Sequence, residues 1–142
     1  MPSLSKSHGL TRLEDIGFVS AGAWILDQGS IAIDCGEHAT ATNVLYAIVV
    51  DGEVAYVGKT VQKLCKRVQQ YRTPGRTQYT NIRNRHEIIT ALTAGREVVL
   101  YVLPDNGLMH YGDFHINLAA GLEDDIIREL SPIWNGGQNE TV

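Results

Sequence analysis

Two β-branched runs on either side of Asp51-Gly52 constrain this chain more than any other feature. Val44-Leu45-Tyr46-Ala47-Ile48-Val49-Val50 is unbroken and apolar, and Glu53 to Val57 resumes the pattern after the break. An Asp-Gly pair between such runs is a strong hairpin signal, because both residue types accept the positive φ of a tight turn. The register of this hairpin decides which side chains meet. A two-residue loop pairs Val50 with Glu53 and puts Tyr46 and Tyr56 on opposite faces. A three-residue loop ending in a glycine bulge pairs Val49 with Glu53 and sets Tyr46 directly opposite Tyr56, on one face. The bulged hairpin is the expectation.

Helical spacing follows. Thr60 is a suitable N-cap for a helix over about Val61 to Tyr71, with Val61, Leu64, Cys65 and Val68 as its apolar stripe and Arg67 and Tyr71 four apart beside it. Thr73-Pro74-Gly75 stops it. A second helix is expected over about Asn81 to Ala94 with Ile82, Ile89 and Leu92 buried, then a strand over Val98 to Leu103 closed by turn residues Pro104 to Gly107. The stretch from Leu108 to Asn117 carries no assignable pattern. A last helix is expected over about Leu118 to Leu130, with Ala119, Leu122, Ile126 and Leu130 facing the core and Glu123 beside them, before Pro132 prevents continuation. Upstream, Phe18 to Leu26 and Ile31 to Asp34 flank Asp27-Gln28-Gly29-Ser30 as a hairpin that reads as an arm or extra β-layer. Met1 to His8 and Gly136 to Val142 read as frayed ends.

With 142 residues, 44% of them hydrophobic, one domain can bury a core without staples. The division expected is an N-terminal hairpin arm over 1–43 and a core over 44–142 within one compact unit. Cys35 and Cys65 lack zinc spacing and read as reduced thiols. No apolar run approaches the roughly 18 residues of a membrane span, so a cytoplasmic protein without a membrane partner is expected.

A net charge of −4 argues, as an average, against nucleic acid. The distribution argues otherwise. Nine of the 12 basic residues (Lys59, Lys63, Lys66, Arg67, Arg72, Arg76, Arg83, Arg85 and Arg96) fall in one stretch whose single acidic residue is Glu87. Such a bipolar chain can hold a phosphate backbone on one surface and repel it elsewhere. A solvated basic helix face is the plainer alternative. His110 and His115 lack the i, i+4 spacing of a helical metal pair.

One ordered set of motifs unites these elements: Val44-Leu45-Tyr46, then Tyr56-Val57-Gly58-Lys59-Thr60, then Arg67 and Tyr71, then Glu123, then Pro132-Ile133-Trp134-Asn135. The set, spanning Val44 to Asn135, resembles the GIY-YIG nuclease family. It reads VLY where the family has GIY, and Tyr71 stands where a histidine is frequent. The N-terminal hairpin is similar to the arm of restriction-type and phage DNA-degrading members.

The resemblance implies an α+β fold with a central three-stranded, mostly antiparallel sheet flanked by helices. It implies a DNA endonuclease with Tyr46, Tyr56, Arg67, Tyr71, Glu123 and Asn135 in the site, and one Mg²⁺ or Mn²⁺ per site held by Glu123. Phosphodiester hydrolysis needs an activated water, a charge sink and a stabilised leaving oxygen. Arg67 offers a planar donor fork for phosphate. Tyr46, beside Lys59 and Arg67, is the provisional proton acceptor, although a phenol needs nearby cations for that work. Asn135 is expected to fix a backbone or phosphate contact. Read singly, each has a plainer role: a cross-strand aromatic pair for Tyr46 and Tyr56, a surface ion pair for Arg67, a solvated carboxylate for Glu123, a turn residue for Asn135. Lys59, Lys63, Arg72, Arg76, Arg83 and Arg85 are expected to bind DNA, with Gln78, Asn81 and Asn84 as candidates for reading base edges. Double-stranded DNA as substrate, sequence specificity and a homodimer complete the expectation. A nicking nuclease of repair or mobile-element type and a non-catalytic DNA-binding module are the alternatives.

Overall fold

The computed structural model describes residues 6–104 and 109–135. Chain order gives α1 (His8–Asp15), β1 (Val19–Ala23), β2 (Ile25–Asp27), β3 (Ser30–Ala32), β4 (Val44–Val50), β5 (Glu53–Thr60), α2 (Leu64–Arg72) and α3 (Tyr79–Thr93). It continues with β6 (Val98–Leu103), β7 (His110–Tyr111), β8 (Phe114–His115) and α4 (Leu118–Leu130), and ends in a 3-10 turn over Ile133–Asn135. The central sheet has four strands in the order β1-β6-β4-β5, with every pairing antiparallel.

The sheet therefore corrects the expected three strands. Phe18 to Leu26 does not run as one strand of an arm but divides at Trp24. Its first half, β1, pairs with β6, and only its second half, β2, joins β3 in a small hairpin. Sequence alternation did not reveal the division, because β1 gains its place by pairing with a strand about 80 residues away. Of the end expected to fray, Met1 to His8, only residues 6–8 are described, and His8 opens a helix that the sequence pattern did not reveal. The Ser7 hydroxyl accepts the Leu10 amide at 3.1 Å to cap α1, whose Leu10 and Leu13 are buried. The turn expected at Pro104 to Gly107 and the tail from Gly136 lie almost wholly outside the described residues.

All seven residues of β4 are buried, so alternate side chains feed two cores. Tyr46, Ile48 and Val50 pack on the side of α2 and α3, with Trp24 and Leu100. Leu45, Ala47 and Val49 pack on the side of α1 and α4, with Leu10, Leu13 and Ile126. The central hairpin closes through two residues, not three: Val50 pairs with Glu53, and Asp51 and Gly52 take φ of 50° and 82°. The extra residue lies deeper, where Val49 pairs with Val54 but Ile48 pairs with Tyr56. That bulge at Ala55 returns Tyr56 to the face of Tyr46. The expected common face is realised, by a bulge inside β5 rather than at the turn.

The start of α2 is shifted as well. Thr60 ends β5, and its hydroxyl accepts the Gln62 amide at 3.0 Å in a local turn. Lys63 occupies the N-cap, and the carbonyls of Ala41 and Ala39 take the Leu64 and Cys65 amides at 2.9 Å each. Val61 and Cys65 are accordingly exposed, while Leu64, Val68 and Tyr71 form the buried stripe. In α3 the buried face is Asn81, Asn84, Ile88 and Ala91, one step around the helix from the expected one, and Ile82 is 40% exposed.

Candidate active site

The site is built on β5, the edge strand, where three elements converge. Tyr46 of β4 and Tyr71 of α2 are fully buried, and their hydroxyls are 2.6 Å apart. Arg67, one turn before Tyr71, donates from Nη2 to the Tyr71 hydroxyl at 3.1 Å. Its guanidinium also lies 4.6 Å from the Tyr71 ring centre and 5.7 Å from that of Tyr46. Gln70 accepts from Arg67 Nη1 at 3.1 Å. The arginine is thus oriented by two tyrosines and a glutamine before any ligand arrives. The i, i+4 spacing of Arg67 and Tyr71 predicted this much.

Tyr46 lies opposite Gly58, and Tyr56 lies diagonally beside it with ring centres 6.3 Å apart. Gly58 is required there. A Cβ at this position would sit 2.8 Å from the Tyr46 hydroxyl and 2.9 Å from a Tyr56 ring carbon. Trp24 closes the far side, edge-on to Tyr71 at 6.3 Å.

Burial holds the Tyr46 phenol well above its ordinary pKa, the Tyr71 phenol adds to the rise, and Arg67 only partly offsets them. For Tyr46, expected as the proton acceptor beside cations, desolvation outweighs the pull of Arg67 in this structure, and Lys59 faces Glu123 instead. Tyr71 is likewise raised by burial against the pull of Arg67. Burial also raises Tyr56, to about 12, assisted by Tyr71 and Glu123 and opposed by Arg67 and Arg83. Tyr56 therefore senses the charges of the arginines and of Glu123 together. For Arg67, burial disfavours the charge but the three tyrosines outweigh it and raise its pKa.

Glu123 projects from α4, which covers the other face of the sheet, and reaches the β5 edge. Its side chain is 18% exposed, and Lys59 Nζ lies 3.7 Å from its Oε1. Partial burial raises its pKa, with Lys59 lowering and Asp124 raising it. Among the described residues no group of three or more His, Cys, Asp or Glu gathers. A lone, partly desolvated carboxylate with one long-range ammonium neighbour fits a hard divalent cation that keeps waters and substrate oxygens as its other ligands. It does not fit a cation that requires a full set of protein donors.

Asn135 serves the backbone. It lies in the 3-10 turn after α4, fully buried, and its amide accepts the Val57 N–H at 2.9 Å and donates to the Val57 carbonyl at 3.1 Å. The amide thus takes the place of a neighbouring strand at the edge residue next to Tyr56. The preceding carbonyl, of Trp134, accepts from Arg83 Nη2. The turn is laced between α3 and β5.

The residues expected to bind DNA divide by burial and partner. Lys63 and Arg76 are exposed. Lys59, 51% exposed, faces Glu123. Arg72 is bound to Asp27 at 3.3 Å and to the Ile31 carbonyl at 3.0 Å, tying α2 to the small hairpin. Arg83 is held by Trp134, and Arg85 is half-buried with an Nη1 that has no partner among the described residues. Gln78 is exposed but accepts from the Gly75 amide at 2.8 Å and from Asn81 at 3.1 Å. Asn81 and Asn84 are 6% and 0% exposed, so they do not stand at the surface to read base edges. A polar residue at core spacing in a helix gives no sequence signal of burial. Gly58, Gln70 and Trp24, none of them singled out by sequence for the site, shape it; the motif Tyr56-Val57-Gly58 held the signal for the glycine. His110 and His115 pair across β7 and β8 on an exposed hairpin.

No family model matches the chain, and no curated protein sequence matches it. Solved structures do. A mutant of bacteriophage T4 EndoII superposes with a TM-score of 0.68 at 26% identity, over 90% of this chain and 99% of that one. Restriction endonuclease HPY188I in complex with product DNA superposes with a TM-score of 0.50 at 14% identity, over 84% of this chain and 76% of that one. The four-stranded antiparallel sheet with its flanking helices is thus a nuclease fold, shared with a phage endonuclease and a restriction endonuclease.

Proposed function

We propose that this chain is a GIY-YIG endonuclease that hydrolyses phosphodiester bonds of double-stranded DNA, depends on Mg²⁺ or Mn²⁺, and acts at specific sequences as a cytoplasmic homodimer. The observation that carries this reading is the convergence of Tyr56, a pre-oriented Arg67 and a partly desolvated Glu123 at one strand edge. The likeness to two nucleases, one of them in complex with product DNA, supports it.

In this reading Arg67 receives the scissile phosphate. Its guanidinium stays charged throughout the working pH range and is fixed by Tyr71 and Gln70, so little reorganisation is needed as charge develops on the phosphate oxygens. Tyr56, at 6% exposed, is the phenol nearer the substrate, and Tyr46 and Tyr71 brace it and Arg67 from behind. With a pKa of about 12, Tyr56 meets the attacking water as a neutral phenol. That neutral form cannot take the water's proton; only the small phenolate fraction, its own proton already lost to solvent, does so, and Arg67 and Arg83 favour that ionisation. Glu123 would hold the cation, which supplies Lewis-acid stabilisation of the phosphate and leaving oxygens. Lys59 favours the ionised carboxylate against the rise that burial imposes. Lys63 and Arg76 would contact flanking phosphates. Two copies would be needed to cut two strands, since each chain carries one such site.

The test is incubation of unmethylated plasmid with purified protein and Mg²⁺, with Glu123→Gln beside wild type. Discrete fragments, lost in Glu123→Gln and on chelation, are the expected result. Plasmid left intact by both proteins yet retarded in a gel would instead make the chain a DNA-binding module.

A further inference from the structure

The basic stretch of the chain presents one aromatic ring that the candidate active site does not use. Tyr79 is 74% exposed, in the stretch that carries Lys63, Arg76 and Arg83 and whose single acidic residue is Glu87. Scattered exposed apolar residues are ordinary on a protein surface, so exposure alone means little. The position of this one does more. Tyr79 opens α3 four residues before Arg83, so the two lie on one helical stripe, about 6 Å apart along the axis. Arg83 donates to the Trp134 carbonyl, and the next residue, Asn135, holds Val57 beside Tyr56. The Tyr79 ring therefore stands one helical turn beyond the contact that borders the site.

The segment that presents the ring is fixed in place. Gln78 Oε1 accepts the Gly75 amide at 2.8 Å and the Asn81 side-chain amide at 3.1 Å, which ties the connection between α2 and α3 to the first turn of α3. A Cβ at Gly75 would come within 3.2 Å of the Gln78 side chain. Thr77, Gln78, Tyr79, Thr80 and Asn81 line an open hollow of about 290 Å³, close to the lower bound of small-ligand sites. The first turn of α3 holds no acidic residue, and the exposed Arg76 precedes it. A polyanion can pass here without repulsion, but an uncharged ring is a poor ligand for its phosphates. What the ring offers is a flat face, and a nucleobase has the matching one together with a polar edge for the polar lining.

We propose that Tyr79 is a base-stacking residue: its ring takes the face of a nucleobase unstacked from the DNA strand near the scissile phosphate, while Arg76 holds the adjoining backbone. Every base has such a face, so the contact adds affinity without dictating sequence. With Arg67 on the phosphate and Tyr79 on a base, the strand is held at two points and cannot pivot about one. A second copy of this chain is the other occupant such a ring could take. A two-fold contact there would set the basic stretch against itself, and like charges facing each other oppose association. The proposal rests on the nuclease reading for its choice of DNA as partner, but the contact itself requires no cleavage.

The test is the Kd for a mixed-sequence DNA duplex, fully paired or carrying one unpaired base, measured in EDTA over a salt series for wild type, Tyr79→Phe, Tyr79→Leu and Tyr79→Ala. Wild type should prefer the duplex with the unpaired base, which is already free to leave the stack. Tyr79→Ala should lose that preference and bind this duplex about tenfold more weakly, within the range for one stacked base. Tyr79→Leu, apolar but without a flat face, should behave like Tyr79→Ala, and Tyr79→Phe should stay within about twofold of wild type. The slope of log Kd against log salt should be the same in all four proteins, whereas Arg76→Ala should reduce it by about one. A Tyr79→Ala that binds like wild type, a Tyr79→Phe that binds like Tyr79→Ala, a Tyr79→Leu that binds like wild type, or an altered salt slope would each overturn the proposal. So would a wild type that binds neither duplex, or a change of oligomeric state in Tyr79→Ala on ultracentrifugation, which would make the ring a contact between copies. Plasmid cleavage with Mg²⁺ separates the two readings. Cleavage by wild type with no Tyr79 effect on Kd defeats the stacking contact alone, and the expected Kd pattern without cleavage defeats the nuclease activity alone.

Discussion

The two faces of the central sheet are made from the same strands and do different work. On the side of α1 and α4, Leu45, Ala47, Val49 and Val57 meet Leu10, Leu13 and Phe18, and the buried members of this cluster are all apolar. On the side of α2 and α3 the core contains three tyrosines, and Asn84 is fully buried on α3. Burying such oxygens and amides costs free energy unless each is paired. A fold that carries this cost on one face has a packing face and a face that holds the tyrosines and Arg67, while Glu123 reaches the β5 edge from the packing side. Along β4 the two sides alternate residue by residue: Leu45 packs toward α1 and α4, Tyr46 joins the tyrosine cluster, and Ala47 packs again toward α1 and α4.

Tyr56→Phe gives the largest effect expected on the chemical face. Loss of one oxygen should lower kcat by about 10²–10⁴-fold, the range for a positioned acid–base group, with stability nearly unchanged. The sign of the pH dependence follows from the raised pKa. Below about 12 the phenol is protonated, so the reactive ionised fraction grows tenfold per pH unit. Wild-type kcat/KM should therefore climb between pH 7 and 9 with a logarithmic slope near one, and Tyr56→Phe should lose that slope. A wild-type profile that is flat over this interval would remove Tyr56 from the role of base.

Leu45→Ala probes the opposite face through the neighbour of Tyr46. Leu45 is fully buried, and truncating such a residue costs about 2–5 kcal/mol. Urea denaturation should report that loss, while kcat per folded molecule stays near wild type. A large fall in kcat at full folding would show that the two faces are mechanically coupled and would weaken the contrast.

Gly58→Ala adds a methyl on the tyrosine side of the sheet. The added methyl meets the Tyr46 hydroxyl at 2.8 Å and its ring carbon at 2.9 Å, so rings that are locked on both sides must shift. Overpacking of this kind costs about 1–3 kcal/mol. Because the displaced atoms belong to the tyrosine cluster, activity should fall further than stability, in contrast to Leu45→Ala. Equal effects at both positions would mean that ring placement is not limiting.

The two faces also differed in how far sequence could describe them. Apolar alternation identified β4, β6 and α4 with bounds that hold, and helical spacing joined Arg67 to Tyr71. What escaped was decided at a distance. β1 is a strand of the sheet because β6 pairs with it, Arg72 is bound because Asp27 returns to α2, and Asn84 is buried because α3 turns that face toward α2. The bulge at Ala55 escaped for a different reason. Either loop length satisfies Asp51-Gly52, and only packing on both faces of β5 selects two residues in the turn and one extra within the strand.

The turn that starts this hairpin offers the smallest effect and the cleanest control, since it lies away from both cores. Asp51 accepts the Glu97 amide at 2.9 Å and the Arg96 Nε at 3.0 Å, and these two contacts hold its carboxyl below the ordinary value, the amide first. A carboxyl depressed in the folded state contributes stability above its unfolded pKa, near 4, and loses it as pH falls through the lower folded value. Asp51→Asn keeps an oxygen for the Glu97 amide and a residue type suited to φ of 50°, but gives up the charge facing Arg96. The pair is largely open to solvent, so the change at pH 7 should be no more than a few tenths of a kcal/mol. As pH falls from about 4 through that lower folded value, wild type and variant should converge, because protonation then removes the same charge. A loss at pH 7 as large as that of Gly58→Ala would mean that Asp51 sets the register of the hairpin electrostatically. The position of Tyr46 and Tyr56 would then depend on an ion pair at the far end of the strands rather than on the bulge between them.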